Sequence, residues 1–341
     1  MKFDFCIGNP PYQDNTLGDN ANFAPPVYNK FMDASYEITD KVELIHPARF
    51  LFNAGSTPKE WNQKILNDSH FKVLYYEQDS SKVFPNTDIK GGIVISYHDK
   101  KKNFGALEVF SAFSELNSIR HKVIEKTEQS LTSIIYVQNR FDLSALYADY
   151  PDLKNVIGSD GKDKRFRNNI FEKIALFSES KKNENDVKTI GVLKNKRVWR
   201  YLPYKYFDNN HENYSFWKVL VPRASGSGKF GEPLSTLLIG EPFVAYTQTF
   251  IGIGAFASEK EAQSAMNYIK TKFVRTMLGI LKITQDNDRE TWKFVPLQDF
   301  SSNTDINWNV SIPNIDRQLY KKYCLSPEEI EFIETHVKEM E

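Results

Sequence analysis

Cysteine is almost absent from this chain: only Cys6 and Cys324 occur among 341 residues, far apart in sequence. That excludes a disulfide framework and a cysteine-rich zinc site, and it fits a reducing compartment, so a cytoplasmic setting is expected. Net charge is missing too, with 44 basic residues against 44 acidic ones. No whole-molecule field draws in an anionic partner, and any electrostatic partner has to be met by a local patch. No apolar run reaches the length of a membrane span, no basic-then-apolar segment opens the chain, and no internal repeat recurs, so no membrane partner is expected. Paired histidine spacing is lacking as well. His46 and His70 read as packing or solvent positions, and no metal is expected. What the chain has in quantity is aromatic residues, 14% of the total with 25 Phe and 17 Tyr, a share that calls for large cores or for surfaces that stack on something flat.

The length suits two domains of ordinary size. The first third alternates strand and helix patterns, as in an α/β layer with a mostly parallel sheet. Lys2 to Ile7 predicts a strand, Gln13 to Pro26 a polar loop, and Val27 to Ile38 a helix. Val42 to His46 predicts a second strand stopped by Pro47, Trp61 to Asn67 a helix entered through Pro58, and Phe71 to Glu77 and Gly92 to Tyr97 two further strands. A polar helix, Phe113 to Glu128, leads out of this layer, and the domain boundary is expected near residue 125. Beyond it the strands are irregular, Lys181 to Asp186 reads as a linker, and Ser258-Glu-Lys-Glu261 is a capping box before a helix from Ala262 to Leu281. Ser326-Pro327-Glu328-Glu329 starts a last helix, with Ser as cap and Pro at the first helical position.

Asn9-Pro10-Pro11-Tyr12 closes the first strand. Methylating an exocyclic aromatic amine requires drawing its N–H groups toward two acceptors, because the lone pair is delocalised into the ring. The Asn9 side-chain oxygen can be one acceptor and the Pro10 carbonyl the other, since adjacent prolines fix the backbone and donate no competing N–H. Tyr12 offers a face on which an extruded base can stack.

This stretch resembles the catalytic motif of DNA adenine-N6 methyltransferases, which take a methyl group from S-adenosylmethionine on a Rossmann-like fold. Further segments resemble the Eco57I-like restriction-modification methylases: Ile45 to Phe50, Asp79 to Val94, Tyr268 to Phe273 and Val295 to Phe300. The resemblance implies that Asn9 and Pro10 accept from the target amine, that Pro11 stiffens the turn, and that Tyr12 stacks on the flipped adenine. It implies a fold of class α/β, with a partial Rossmann-like methyltransferase sheet, the catalytic half, over residues 1–125. A mixed α/β target-recognition domain follows over 126–341. Methylases of this layout carry the glycine-rich cofactor loop and the ribose-gripping acid upstream of the motif strand. The expectation is therefore that an upstream segment or a separate chain supplies the cofactor-binding half, and that this chain alone is inactive. Cofactor-binding residues are not assigned within it. Phe250 to Gly254 reads as a strand with glycines for close packing rather than as a cofactor loop. Ala224 to Lys229 departs from the phosphate-loop pattern at Arg223 and Phe230.

Between Lys188 and Phe230 nine basic residues face two acidic ones, with Trp and Tyr interleaved, which is the footprint of a double-stranded DNA partner. Lys196, Arg197, Arg200, Arg223 and Lys229 are the candidate contacts there, joined by Lys90 in the turn Asp88-Ile-Lys-Gly-Gly92. Two other functions compete. One is a DNA sequence-recognition module without catalysis, and the other is methylation of an amide or amine in protein or RNA.

Overall fold

The computed structural model describes residues 3–14, 24–302 and 304–340. Lys2 of the expected first strand and residues 15–23 of the expected loop lie outside them. The chain divides into two compact units. The first is Met1–Ser118 with Ser227–Phe230 and Gly279–Thr284, and the second is Ile119–Gly226, Gly231–Leu278 and Gln285–Glu341.

In the first unit, β1 (Cys6–Gly8) is joined through α1 (Tyr28–Ile38) to β2 (Lys41–Pro47), parallel to it, with Cys6 opposite Val42 and Gly8 opposite Leu44. After α2 (Lys59–Leu66) come β3 (Phe71–Glu77) and β4 (Ile93–Asp99), and the sheet order is β1-β2-β4-β3. The expectation of a mostly parallel sheet is corrected here, because β4 lies antiparallel to both β2 and β3. Residues 78–92 between β3 and β4 hold a short 3-10 turn and no crossover helix, so the chain returns as an antiparallel neighbour.

The registers decide which side chains share a face. Cys6, Val42, Leu44, His46, Val94 and Ser96 point toward α1 and α2, whose Tyr28, Met32, Trp61 and Ile65 complete a core with Phe50 and Phe71. Those helix positions recur every four residues, the spacing that lays them along one stripe. The opposite face carries Ile7, Glu43, Ile45, Ile95 and Tyr97. It is open at the β1 edge, where Ile7 is 75% exposed and Phe3 and Phe5, in the same alternation, are 52% and 42% exposed.

His46 sits wholly inside the core. Its ring stacks on Tyr28 with centroids 5.6 Å apart, and its Nε2 lies 2.7 Å from Ser96 Oγ. Burial pushes its pKa down to about 4. The turn before β4 is equally constrained. Gly91 and Gly92 take φ of +87° and +81°, and a Cβ on Gly92 would collide with the Glu77 carbonyl and stand 2.7 Å from Gln78 Cα.

In the second unit, α3 (Ser114–Glu125), of which the unit holds Ile119 onward, and α4 (Leu143–Asp149), capped by Asp142, accompany two small sheets. β5 (Ile135–Tyr136), β8 (Trp217–Pro222), β9 (Leu238–Gly240) and β11 (Phe250–Phe256) form an antiparallel sheet in the order β5-β11-β8-β9. β6 (Val187–Leu193), β7 (Lys196–Leu202) and β10 (Val244–Tyr246) form the other, in the order β10-β6-β7. Phe250 to Gly254 is thus a strand, and a Cβ at Gly252 would come 2.7 Å from Asn213 Nδ2. The helix expected from Ala262 to Leu281 is two, α5 (Glu259–Lys270) and α6 (Lys272–Gly279). Thr271 between them is extended, and Asp316 caps α6 by accepting from the Lys272 and Phe273 N–H groups at 3.0 and 2.9 Å. Asp316 belongs to α7 (Ile312–Lys322), and the expected Ser326 cap opens α8 (Pro327–His336), where it forms a capping box with Glu329. Among the described residues no helix is long and apolar enough to cross a membrane.

Two stability outcomes follow from this packing. A histidine with a depressed folded pKa leaves stability untouched above pH 6.5 and lowers it as the unfolded chain takes up a proton that the folded state refuses. Denaturant unfolding should therefore show a loss of about 3 kcal/mol between pH 6.5 and pH 4, and His46→Gln should flatten that part of the profile. Gly92→Ala should destabilise the first unit by about 2 kcal/mol or more, read as a shift in the urea midpoint.

Candidate active site and nucleic-acid interface

β1 ends at Gly8 beside Leu44, so Asn9 emerges at the carboxyl end of the parallel β1–β2 pair. Ligands of open α/β sheets bind at that end, outside the strand termini. Asn9 is exposed and its amide makes no hydrogen bond with the described residues. The Pro10 carbonyl accepts none from them either. Pro10 and Pro11 remove two backbone donors and two φ rotations. The segment is tied down just beyond the motif: Val27 N–H donates to the Tyr12 carbonyl at 3.2 Å and Asp14 N–H to the Pro25 carbonyl at 2.9 Å, which anchors it on the start of α1. The Tyr12 ring is half-buried, and its hydroxyl is buried without a hydrogen-bond partner, an unmet polar group. Burial raises its pKa.

The carboxyl end of β2 runs through His46 and Pro47 into Arg49. Arg49 Nε donates to the Lys90 carbonyl, and a Cβ at Gly91 would come 2.8 Å from Arg49 Cγ. Close packing of backbone on guanidinium stem therefore holds the turn Asp88–Gly92 at the same end of the sheet as Asn9. Lys90 is exposed there, with its ammonium 2.7 Å from Asp88 Oδ2. Lys229 is exposed and belongs to the same unit.

S-adenosylmethionine would need a glycine-rich turn leading from a strand into a helix N-terminus, and a carboxylate at the end of an adjacent strand. Among the described residues of the first unit neither is present. The one acid that ends a strand on this side, Glu77 of β3, is engaged with the Asp79 N–H at 2.9 Å and with Lys82 at 3.4 Å. The described residues do not form the cofactor's cradle by themselves.

The remaining candidate DNA contacts lie in the second unit. β6 and β7 form a hairpin whose two turn residues, Lys194 and Asn195, take φ of +49° and +62°. Lys196 and Arg197 follow on its exposed arm, and neither pairs with a carboxylate among the described residues. The Arg197 guanidinium lies 5.7 Å from the Phe250 ring centre. Arg200 is largely covered and paired with Glu179 at 2.9 Å, and Arg223 is paired with Asp286 at 3.2 Å. One residue counted toward the basic surface leaves it: Lys218 is fully buried, donates to the Tyr214 and Val244 carbonyls at 3.2 and 3.1 Å, and has its pKa lowered to about 7 by burial. Tyr206, Phe207 and Tyr214 likewise belong to a core, whereas Trp199, Tyr204 and Phe216 remain exposed. Sequence reasoning missed the polar lining beside Arg197, namely Asn168, Gln248 and the Arg165–Asp163–Arg167 cluster, because isolated amides and short charge alternations carry no pattern until the fold gathers them.

Residues 1–84 match the family model of the Eco57I restriction-modification methylase. An uncharacterized adenine-specific methylase of Mycoplasma pneumoniae is 34% identical over 95 residues, which are 27% of this chain and 22% of that protein. Among solved structures, the type IIG restriction endonuclease BpuSI aligns with a TM-score of 0.33 at 10% identity, over 94% of this chain and 49% of its own. The type IIL restriction-modification enzyme MmeI, in complex with DNA, aligns with a TM-score of 0.46 at 8% identity, over 98% of this chain and 56% of its own. The chain thus spans about half the length of these solved structures and about a fifth of the curated relative. Over residues 1–84 the chain is similar in sequence to the Eco57I restriction-modification methylases, which the motif and its neighbouring segments resemble.

Proposed function

We propose that this chain is the catalytic-motif and DNA-recognition part of a restriction-modification methyltransferase that moves a methyl group from S-adenosylmethionine to the N6 amine of a flipped adenine in double-stranded DNA. The observation that carries this is the unspent pair of acceptors at the end of β1. Among the described residues nothing bonds the Asn9 oxygen or the Pro10 carbonyl, and two prolines hold their backbone still. An adenine amine has two N–H groups, and two fixed acceptors would draw both of them and turn the nitrogen lone pair toward the methyl donor. Tyr12, with its ring half-buried and its hydroxyl unsatisfied, supports a stacking role beside them.

The methyl donor's own site is to be completed from outside the described sheet. The β1 edge favours this. Parallel strands normally have both faces covered, and here Ile7, Phe5 and Phe3 face solvent while the other side of β1 is paired to β2. A further cofactor-binding half, on an upstream segment or a separate chain, would pair with this edge, and the chain alone would then not transfer methyl groups. Residues 1–118 serve as the catalytic half and the second unit as the recognition part. Lys90, Lys229, Lys196 and Arg197 meet phosphates directly, while Arg200 and Arg223 would do so by exchanging their Glu179 and Asp286 partners.

One second reading has an observation in its favour. The lack of a cofactor cradle among the described residues suits a recognition subunit without catalysis. Long-read detection of N6-methyladenine in the genome of cells that carry this chain and its natural neighbours separates the two. With wild-type protein the modified sites share one sequence. With Asn9→Ala methylation should fall at least a thousandfold while binding of the purified chain to duplex DNA persists, whereas unchanged methylation refutes the assignment.

A further inference from the structure

The β6–β7 hairpin leaves its sheet partway along. β10 pairs with β6 only at Lys188, Thr189 and Ile190, and the last bond there runs from the Thr247 N–H to the Ile190 carbonyl at 2.9 Å. On the other side, β7 is bonded at Tyr201 alone, which exchanges N–H and carbonyl with Ser178 at 2.9 Å each way. Gly191 still packs on the body, since a Cβ there would come 2.5 Å from Phe171 and 2.8 Å from Thr247. Beyond it the two strands pair only with each other among the described residues, 191–193 against 196–198, closed by Lys194 and Asn195.

This free ribbon carries charge of one sign. Lys194, Asn195, Lys196 and Arg197 are exposed in succession, and none of the three cations meets a carboxylate among the described residues. Charge placed on a strand only to keep it from aggregating could have either sign. Residues 191–200 nevertheless contain no acid, in a chain whose charges otherwise balance. Strand alternation sends Lys196 and Arg197 to opposite faces of the ribbon, Lys196 beside Leu193 and Arg197 beside Val192. Arg197 is steadied on its face by the Phe250 ring, 5.7 Å away. The tip itself is a two-residue turn with both φ positive, the form whose twist continues that of the strands.

Two strands about 5 Å apart, reaching about 10 Å beyond their sheet, match the major groove of B-DNA, about 12 Å wide and about 8.5 Å deep. A tip that enters such a groove meets base edges at its floor. A cation on each face of the ribbon then meets the phosphates of the DNA strand on that side.

We propose that the β6–β7 tip enters the major groove of the recognised duplex, with Lys194 and Asn195 over base edges and Lys196 and Arg197 on the phosphates of the two walls. This rests on the second unit being the DNA-recognition part. The test begins with selection of random-sequence duplexes on the full chain at fixed salt, with the selected pools sequenced. Wild-type protein should enrich a consensus. K194G/N195G, which keeps a turn able to hold positive φ, should bind unselected duplex within about threefold of wild type and lose about tenfold or more of the preference at one or two adjacent base pairs. K196Q/R197Q should weaken every sequence alike and lessen the salt dependence by about two phosphate contacts. On the selected duplex, N195C should form a disulfide with a thiol tethered to cytosine N4, in the major groove, and none with a thiol tethered to guanine N2, in the minor groove. Wild-type protein, with Cys6 and Cys324 alone, gives the background. A consensus unchanged in K194G/N195G, or an N195C chain that binds and forms no disulfide with the major-groove tether, overturns the inference. A wild-type chain that enriches no sequence overturns the recognition reading beneath it.

Discussion

The rest of the first unit depends on the parallel pairing of Cys6–Gly8 with Val42–Leu44. Parallel pairing sets the two strands' carboxyl ends side by side, so a rigid Asn-Pro-Pro-Tyr segment and the Arg49-anchored turn at Gly91 and Gly92 come to the same end of the sheet. The alternation that follows from this register sends Val42, Leu44 and His46 into the core under α1 and α2. It sends Ile7 the other way. A slip of one residue would invert both assignments and bury Glu43 in place of Leu44.

Stiffness and openness are combined at this end of the sheet. Prolines fix the backbone, Val27 and Pro25 tie the segment after it to α1, and two glycines at positive φ let the neighbouring turn close on Glu77. Yet the Asn9 amide, the Pro10 carbonyl and the Tyr12 hydroxyl find no partner among the described residues. Of these the Tyr12 hydroxyl is the buried one, and a purely structural turn would bond it, since an unmet polar group is costly where water is excluded. In the second unit the almost wholly buried Asp163 orders the guanidinium groups of Arg165 and Arg167.

Much of the fold was legible in the sequence, because local rules wrote it. Pro58 before α2, the Ser326 box before α8, and the helical spacing of Tyr28 and Met32 each state their element within a few residues. The family resemblance was legible in Asn9 to Tyr12 for the same reason. What could not be read depends on partners distant in the chain. The antiparallel place of β4 rests on its pairing with both β2 and β3. The break at Thr271 is fixed by Asp316, and Lys218, one charge among many in the basic stretch, is buried because the Tyr214 and Val244 carbonyls receive it. The Arg200–Glu179 pair likewise joins residues that no local pattern connects.

The central claim is that the end of β1 receives an extruded purine against Tyr12. Photocrosslinking tests it most directly, with a duplex that carries 5-iodouracil in place of the target adenine bound to the chain and the modified peptide identified by mass spectrometry. The account predicts covalent attachment at Tyr12, reduced to background in Tyr12→Ala. Attachment confined to peptides of the second unit, with the Tyr12 peptide unmodified in a complex that forms normally, would contradict it.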